Sequence, residues 1–280
     1  MAKETRILEI KKQRVNGYPE REGAVIRVDD FDMWLEVHGS GPPLLMLNGG
    51  FGMTAMVGEL LSEYAKYFTV YAFDARGHGR SRFGRGPVTY AREAADAVAL
   101  MDVLGLEDAH IFGHSDGGCA SLHLLFDYPH RVRSSTLSGT PYGRDSYGED
   151  AAQFVVNFPR LLARGEVDDI GMHERLTDQG MSPEQIQKLA RGLERAWSTT
   201  PNFSLEMLAT FSTPVLVVEA GEDEFLDLSV FTNMTENIPG ARSIRLPEMT
   251  HSPSPFESQL AQASWALAKE VDAKSDSAAG

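Results

Sequence analysis

The sequence predicts an α/β protein: a mostly parallel central sheet covered by helices on both faces, with an inserted helical cap. Three observations predict it. Short apolar runs (LLML, TVYAFD, HIFG, PVLVVEA) close on Gly, Asn or Asp, as strands buried on both faces do. Longer helix-period segments alternate with them, and strand–helix alternation implies parallel pairing. One stretch, from Pro141 to Ser212, holds helical segments and no convincing strand. Its roughly 70 residues are far too many for a connecting loop.

In order, strands are expected at Ala24–Val28, Phe31–His38, Pro43–Leu47, Thr69–Asp74, Ala109–Gly113, Val132–Ser138, Pro214–Ala220 and Ser243–Leu246. The first two precede the alternation and predict an antiparallel edge. Helices are expected near Thr54–Lys66, Thr89–Leu104, Gly117–Asp127, Leu228–Ile238 and Ser254–Val271. In the second of these, Ala91, Ala94, Ala95, Val98 and Met101 recur at helical spacing. Within the long insertion, Asp150–Ala163 and Pro183–Trp197 carry the helical pattern. The resulting organisation is a flexible lead-in over 1–22, a core over 23–140 and 213–272, a helical cap over 141–212 and a disordered tail over 273–280. The tail, AKSDSAAG, is small and polar.

Forty acidic residues against 26 basic ones give a formal net charge of −14. Nucleic-acid binding needs clustered Lys and Arg to displace counterions, and Arg76, Arg80, Arg82 and Arg85 surround one glycine-rich turn without forming a stripe. A nucleic-acid partner is therefore not expected, and the acidity is read as serving solubility. The single cysteine, Cys119, excludes an intrachain disulfide and a Cys-based metal site, and reads as core filling. The charged N-terminal segment has no apolar core of a signal peptide. No apolar run approaches the roughly 20 residues that span a bilayer. No membrane partner is expected, and the reading is cytoplasmic.

The chemistry centres on Gly113-His114-Ser115-Asp116-Gly117, a G-x-S-x-G run between an apolar strand and a helical segment. A sharp strand-to-helix turn there presents the serine oxygen at a helix N-terminus, where negative charge is favoured. A serine hydroxyl needs a base, and the base needs an orienting acid. Of eight histidines, His78 lies in a glycine turn, His114 is expected to point away across the elbow, and His123 and His130 flank a helix. His251 follows the last strand and a short loop, so it can reach over the sheet's carboxyl edge. The penultimate strand is followed by Glu222, Asp223, Glu224 and Asp227, which leaves the acid open among them.

LLMLNGGFG, FDARGHGRS, GHSDGG, VLVVEAGEDE and MTHSPSPFE, in that order, make the chain resemble the α/β-hydrolase fold family from about Ala24 to Val271. The order Ser, acid, His is that family's. The resemblance implies a serine hydrolase with Ser115 as nucleophile, His251 as base and an acid three residues after Gly221. That is Glu224, with Asp223 the alternative if the turn is one residue shorter. It also implies an oxyanion hole from the N–H of Asp116 and that of Gly50, or of Phe51. The usual His-Gly of that loop is replaced by Asn48-Gly49, and Asn48 is a candidate substrate contact.

The expected substrate is a small carboxylic ester or lactone, cleaved through an acyl-enzyme without metal or cofactor. GHSDGG is also similar to the nucleophile motif of valacyclovir-hydrolase-like enzymes, which implies that Asp116 binds a substrate amino group. Phe154, Phe158, Trp197, Phe203, Met207 and Phe211 are read chiefly as packing the cap onto the core, with an apolar acyl or alcohol pocket as their second role. The same fold and triad also serve C–C bond hydrolases, cofactor-free perhydrolases and lyases, and a non-catalytic ligand receptor can share the scaffold.

Overall fold

The computed structural model describes residues 22–166 and 171–279. Apart from Glu22, the expected lead-in lies outside the described residues. Eight strands form one sheet: β1 (Ala24–Val28), β2 (Phe31–His38), β3 (Pro43–Leu47), β4 (Thr69–Phe73), β5 (Ala109–His114), β6 (Val132–Ser138), β7 (Val215–Ala220) and β8 (Arg242–Leu246). They lie in the order β1-β2-β4-β3-β5-β6-β7-β8. β1 and β2 are antiparallel to their neighbours and form the expected edge, whereas every pairing from β4 through β8 is parallel. Leu44–Leu47 of β3 and Val215–Val218 of β7 are buried throughout, because helices cover both faces.

The helices are α1 (Gly58–Tyr64), α2 (Tyr90–Leu104), α3 (Asp116–Asp127), α4 (Glu149–Arg164), α5 (Met172–Asp178), α6 (Pro183–Thr199), α7 (Leu205–Leu208), α8 (Ser229–Asn237) and α9 (Glu257–Ala279). Two expectations are corrected here. The helix expected over Thr54–Lys66 is a 3-10 turn, Thr54–Met56, followed by α1. The Thr54 N–H donates to Asp74 Oδ1 at 2.7 Å, which holds the chain to the end of β4 instead of letting it wind into α1. The tail expected to be disordered from residue 273 is helical to Ala279, since neither Gly nor Pro interrupts α9 before Gly280.

The FDARGHGRS turn is held by a buried cation. Arg76 donates to Asp96 at 2.8 and 2.9 Å, to Asp30 at 3.1 Å and to the carbonyls of Phe83 and Arg85, and lies over the Phe31 ring at 4.4 Å. Arg76→Ala would leave Asp30 and Asp96, both nearly buried, with only the more exposed Arg92 and, for Asp30, Arg85 as cations. It is expected to cost about 3–5 kcal/mol, read by urea unfolding.

Helices α4 to α7 occupy the long connection between β6 and β7. The start of α6 is set locally: Pro183 takes the first helical position and the Ser182 side chain accepts the Gln185 N–H at 3.2 Å. Phe158 and Leu162 of α4 pack against Ile186, Leu189 and Leu193 of α6, and Phe51 and Met53 from the loop after β3 complete this cluster. The insertion thereby sits on the carboxyl edge of the sheet, where the loops after β3, β5, β7 and β8 converge.

Candidate active site

Ser115 occupies the turn from β5 to α3 with φ 54° and ψ −118°, a conformation rarely adopted by a residue with a side chain. Flanking glycines allow it. A Cβ on Gly113 would lie 2.2 Å from Ser121 Oγ, and one on Gly117 would lie 2.3 Å from the Leu47 carbonyl oxygen. Only glycine lets β3, β5 and α3 approach so closely. The Ser115 N–H donates to the Ser138 carbonyl at 2.9 Å, fastening the elbow to β6.

His251 stands on the loop after β8. Its ring meets both expected partners: Nε2 is 3.0 Å from Ser115 Oγ, and Nδ1 is 3.0 and 3.1 Å from the two carboxylate oxygens of Asp223. The loops after β7 and β8 are joined by the Glu222 N–H, which donates to the Met249 carbonyl at 2.9 Å.

The structure brings Asp223, not the preferred Glu224, to the His251 ring. Glu224 is exposed, and its Oε2 accepts the main-chain N–H of His251 at 2.8 Å rather than facing the ring. Asp223, the alternative, faces Nδ1. The reason is local: Asp223 Oδ1 also accepts the N–H groups of Phe225 at 2.9 Å and Leu226 at 3.0 Å. A short aspartate side chain closes such a turn over its own backbone, and this shortens the acid loop by one residue. Burial by itself would raise the Asp223 pKa. Hydrogen bonds from His251, Leu226 and Phe225, with the His251 charge, outweigh it and hold the carboxyl below its ordinary value.

His114 does not point away. Its ring lies 5.1 Å from that of His251, and burial, then the neighbouring His251, pushes its pKa down to about 3. His78 is buried in its glycine turn, with its pKa lowered to about 4 by burial.

The loop after β3 touches the elbow, since a Cβ on Gly49 would lie 3.2 Å from Ser115 Cβ. Gly49 to Gly52 form a turn closed by the Gly52 N–H donating to the Gly49 carbonyl at 2.8 Å. The candidate donors Gly50 and Phe51 are its central residues, and the third, Asp116, begins α3. Asn48 lines the same cavity as Ser115, and its Nδ2 makes a long 3.5 Å contact with the Phe73 carbonyl.

Asp116 is buried beside the nucleophile. Its Oδ1 accepts from the Tyr90 hydroxyl at 3.0 Å and its Oδ2 from Trp197 Nε1 at 2.7 Å, so both oxygens already hold protein donors. Sequence reasoning does not find Tyr90 and Trp197 as partners of Asp116. A buried Tyr or Trp seeks a partner for its polar tip, but that partner lies 26 and 81 residues away in the chain. Desolvation raises the Asp116 pKa to about 6, against the lowering effect of Trp197, Tyr90 and His251.

The sign of this shift gives a prediction. A carboxyl whose folded pKa exceeds its unfolded value makes the native state bind more protons between about pH 4 and 6. Its contribution to stability therefore falls as pH rises through that window. Asn in place of Asp116 can accept from Trp197 and donate to the Tyr90 oxygen without titrating. The stability of Asp116→Asn relative to wild type is expected to rise by about 2 kcal/mol from pH 4 to pH 7.5, measured by urea unfolding at both.

Ser115 and His251 open into a cavity of about 700 Å³. The loop after β3 and the insertion line it together, with Met56, Leu60, Phe154, Phe158, Met172 and Phe225 supplying apolar walls. Phe225 also packs edge-on against His251 at 4.9 Å. Among the described residues no helix is long and apolar enough to cross a membrane.

Comparison with known proteins agrees with this fold. Over 228 residues the chain is 28% identical to RutD of Azorhizobium caulinodans, named as a putative carbamate hydrolase, covering 76% of this chain and 85% of that protein. The esterase RhEst1 from Rhodococcus superposes with a TM-score of 0.67 at 21% identity, covering 87% of this chain and 98% of that one. An enol-lactonase from Burkholderia xenovorans superposes with a TM-score of 0.66 at 19% identity, covering 85% and 97%. The model of the alpha/beta hydrolase family matches residues 37–263, which take in β3 to β8, the serine elbow and His251, and the chain belongs to that family.

Proposed function

We propose that this chain is a cytoplasmic serine hydrolase that cleaves a small carboxylic ester or lactone through an acyl-enzyme on Ser115. The observation that carries the reading is the run of contacts Asp223–His251–Ser115, about 3 Å at each step, opening into a cavity with largely apolar walls. His251 Nε2 takes the Ser115 proton as Oγ bonds to the acyl carbon, and the carbonyl electron pair moves onto oxygen. The N–H of Asp116 and that of Gly50 or Phe51 receive this oxyanion. Collapse breaks the bond to the alcohol oxygen, which takes the proton from His251. Water then gives a proton to His251, attacks the acyl carbon and frees the acid, while Ser115 recovers its proton. Asp223 holds the ring with Nδ1 protonated and balances the imidazolium.

A carbamate is the second reading, favoured by the similarity to RutD. Attack on its carbonyl follows the same steps through a carbamoyl-enzyme. Hydrolysis of p-nitrophenyl esters of increasing acyl length, aliphatic lactones and aryl carbamates, with fluorophosphonate labelling in parallel, tests both. Turnover with labelling at Ser115 is expected, and the preferred series separates ester from carbamate. Absence of both turnover and labelling would refute the reading and favour a receptor on the hydrolase scaffold, and labelling without turnover would keep the nucleophile and point to another substrate class.

A further inference from the structure

The turn that presents the second oxyanion donor is built against the local preference of its sequence. Phe51, third of the four residues Gly49 to Gly52, has φ 59°, a left-handed conformation that favours glycine. Relaxing it would flip the Gly50–Phe51 peptide and reverse the direction of the Phe51 N–H. Something must hold the side chain where the backbone alone would not.

Two rings from the insertion do so. The buried Phe51 ring sits edge-on between Phe158 of α4, at 5.7 Å and 82°, and Trp197 of α6, at 5.8 Å and 85°. Trp197 also covers the adjoining residue, since a Cβ on Gly50 would lie 2.4 Å from Trp197 Cζ2 and 2.7 Å from Asp116 Oδ2. The same indole donates its N–H to Asp116 Oδ2 at 2.7 Å. One side chain therefore touches Gly50, Phe51 and Asp116, the three residues whose N–H groups are the candidate oxyanion donors.

Helix α6 is tied to the core well before that point as well. Gln185 Nε2, near its start, donates to the Gly79 carbonyl at 2.7 Å, and Gly192, in its middle, lies against Val88, where a Cβ would stand 2.9 Å from the Val88 Cβ. Trp197, near its end, is the last of these fastenings.

We propose that Trp197 is a positioning residue of the oxyanion hole, by which the helical insertion fixes both N–H donors beside Ser115. The proposal rests on the reading of Ser115 as nucleophile. It gives the insertion a part in the chemistry beyond shaping the cavity: when α6 lifts away, Asp116 loses a partner and Phe51 loses a wall, so the hole is complete only while the insertion is seated.

A merely structural or substrate-packing role predicts a different pattern, and a pair of inhibitors distinguishes them. A trifluoromethyl ketone carrying the acyl chain of the best p-nitrophenyl ester adds Ser115 to form a tetrahedral oxyanion, whereas the matching methyl ketone fills the same space with far less adduct. Wild type is expected to prefer the first. Trp197→Phe keeps an aromatic ring and removes the donor to Asp116. It is expected to lose about tenfold or more of that preference, with methyl-ketone affinity and KM nearly unchanged and kcat reduced in proportion. An unchanged preference in Trp197→Phe overturns the proposal, as do equal losses for the two ketones, which would make Trp197 a wall of the pocket. If this variant does not fold, Trp197→Met, which also lacks the donor to Asp116, reads the same ratio, and an unchanged ratio there overturns it. A wild type that is neither labelled by fluorophosphonate at Ser115 nor selective for the trifluoromethyl ketone would refute the nucleophile itself, a result separate from failure of the clamp alone.

Discussion

Ser115→Ala is expected to lower ester turnover by about 10⁴- to 10⁶-fold, with fluorophosphonate labelling lost and the circular dichroism spectrum unchanged. The size follows from the position of the hydroxyl. Its oxygen is the only heavy atom removed, and it lies 3.0 Å from His251 Nε2, the nitrogen that must take its proton. The backbone at the elbow is held by the close packing of Gly113 and Gly117 and by the bond from the Ser115 N–H to Ser138, none of which involves the serine oxygen. Fold and activity should thus separate cleanly. A variant retaining more than about a hundredth of wild-type kcat would require another nucleophile and would refute the mechanism.

The second large effect concerns the acid. Asp223→Asn is expected to reduce kcat/KM by about 10⁴-fold, while Glu224→Gln stays within about tenfold of wild type. The asymmetry can be traced atom by atom. The N–H groups of Phe225 and Leu226 both point at Asp223 Oδ1, so an asparagine would present its carbonyl to them and its NH₂ to His251. An imidazole facing that NH₂ must leave Nδ1 unprotonated, which places its proton on Nε2, where the Ser115 proton has to go. Glu224 holds only the main-chain N–H of His251, and a glutamine oxygen can still accept it. Steady-state kinetics of both variants between pH 6 and 9 checks the order, and the reverse order would return the acid to Glu224.

These two residues also mark how far local sequence reaches. Strand periodicity, the glycines of the elbow and the order of the five motifs depend on interactions within a few residues, so the eight strands and the places of Ser115 and His251 at strand ends are legible in the sequence itself. The helical insertion is legible for a similar reason, as a stretch with the wrong period and too great a length. Beyond that range the sequence is ambiguous. Four acidic residues after β7 are equivalent in composition. The choice among them is made by a turn that Asp223 closes over Phe225 and Leu226, and by a histidine 28 residues away.

What the sequence alone determined is the family's α/β frame and the placing of Ser115 and His251 after β5 and β8, because turn sterics and buried strand patterns are written in neighbouring residues. What only the tertiary structure decided is which carboxylate meets His251, that Asp116 is occupied by Tyr90 and Trp197, and that His114 lies beside the site instead of away from it. Those outcomes depend on side chains from separate elements meeting at the sheet's carboxyl edge. Such meetings are set by packing across 26 to 81 residues of chain in the case of Asp116, and no spacing along the chain encodes them.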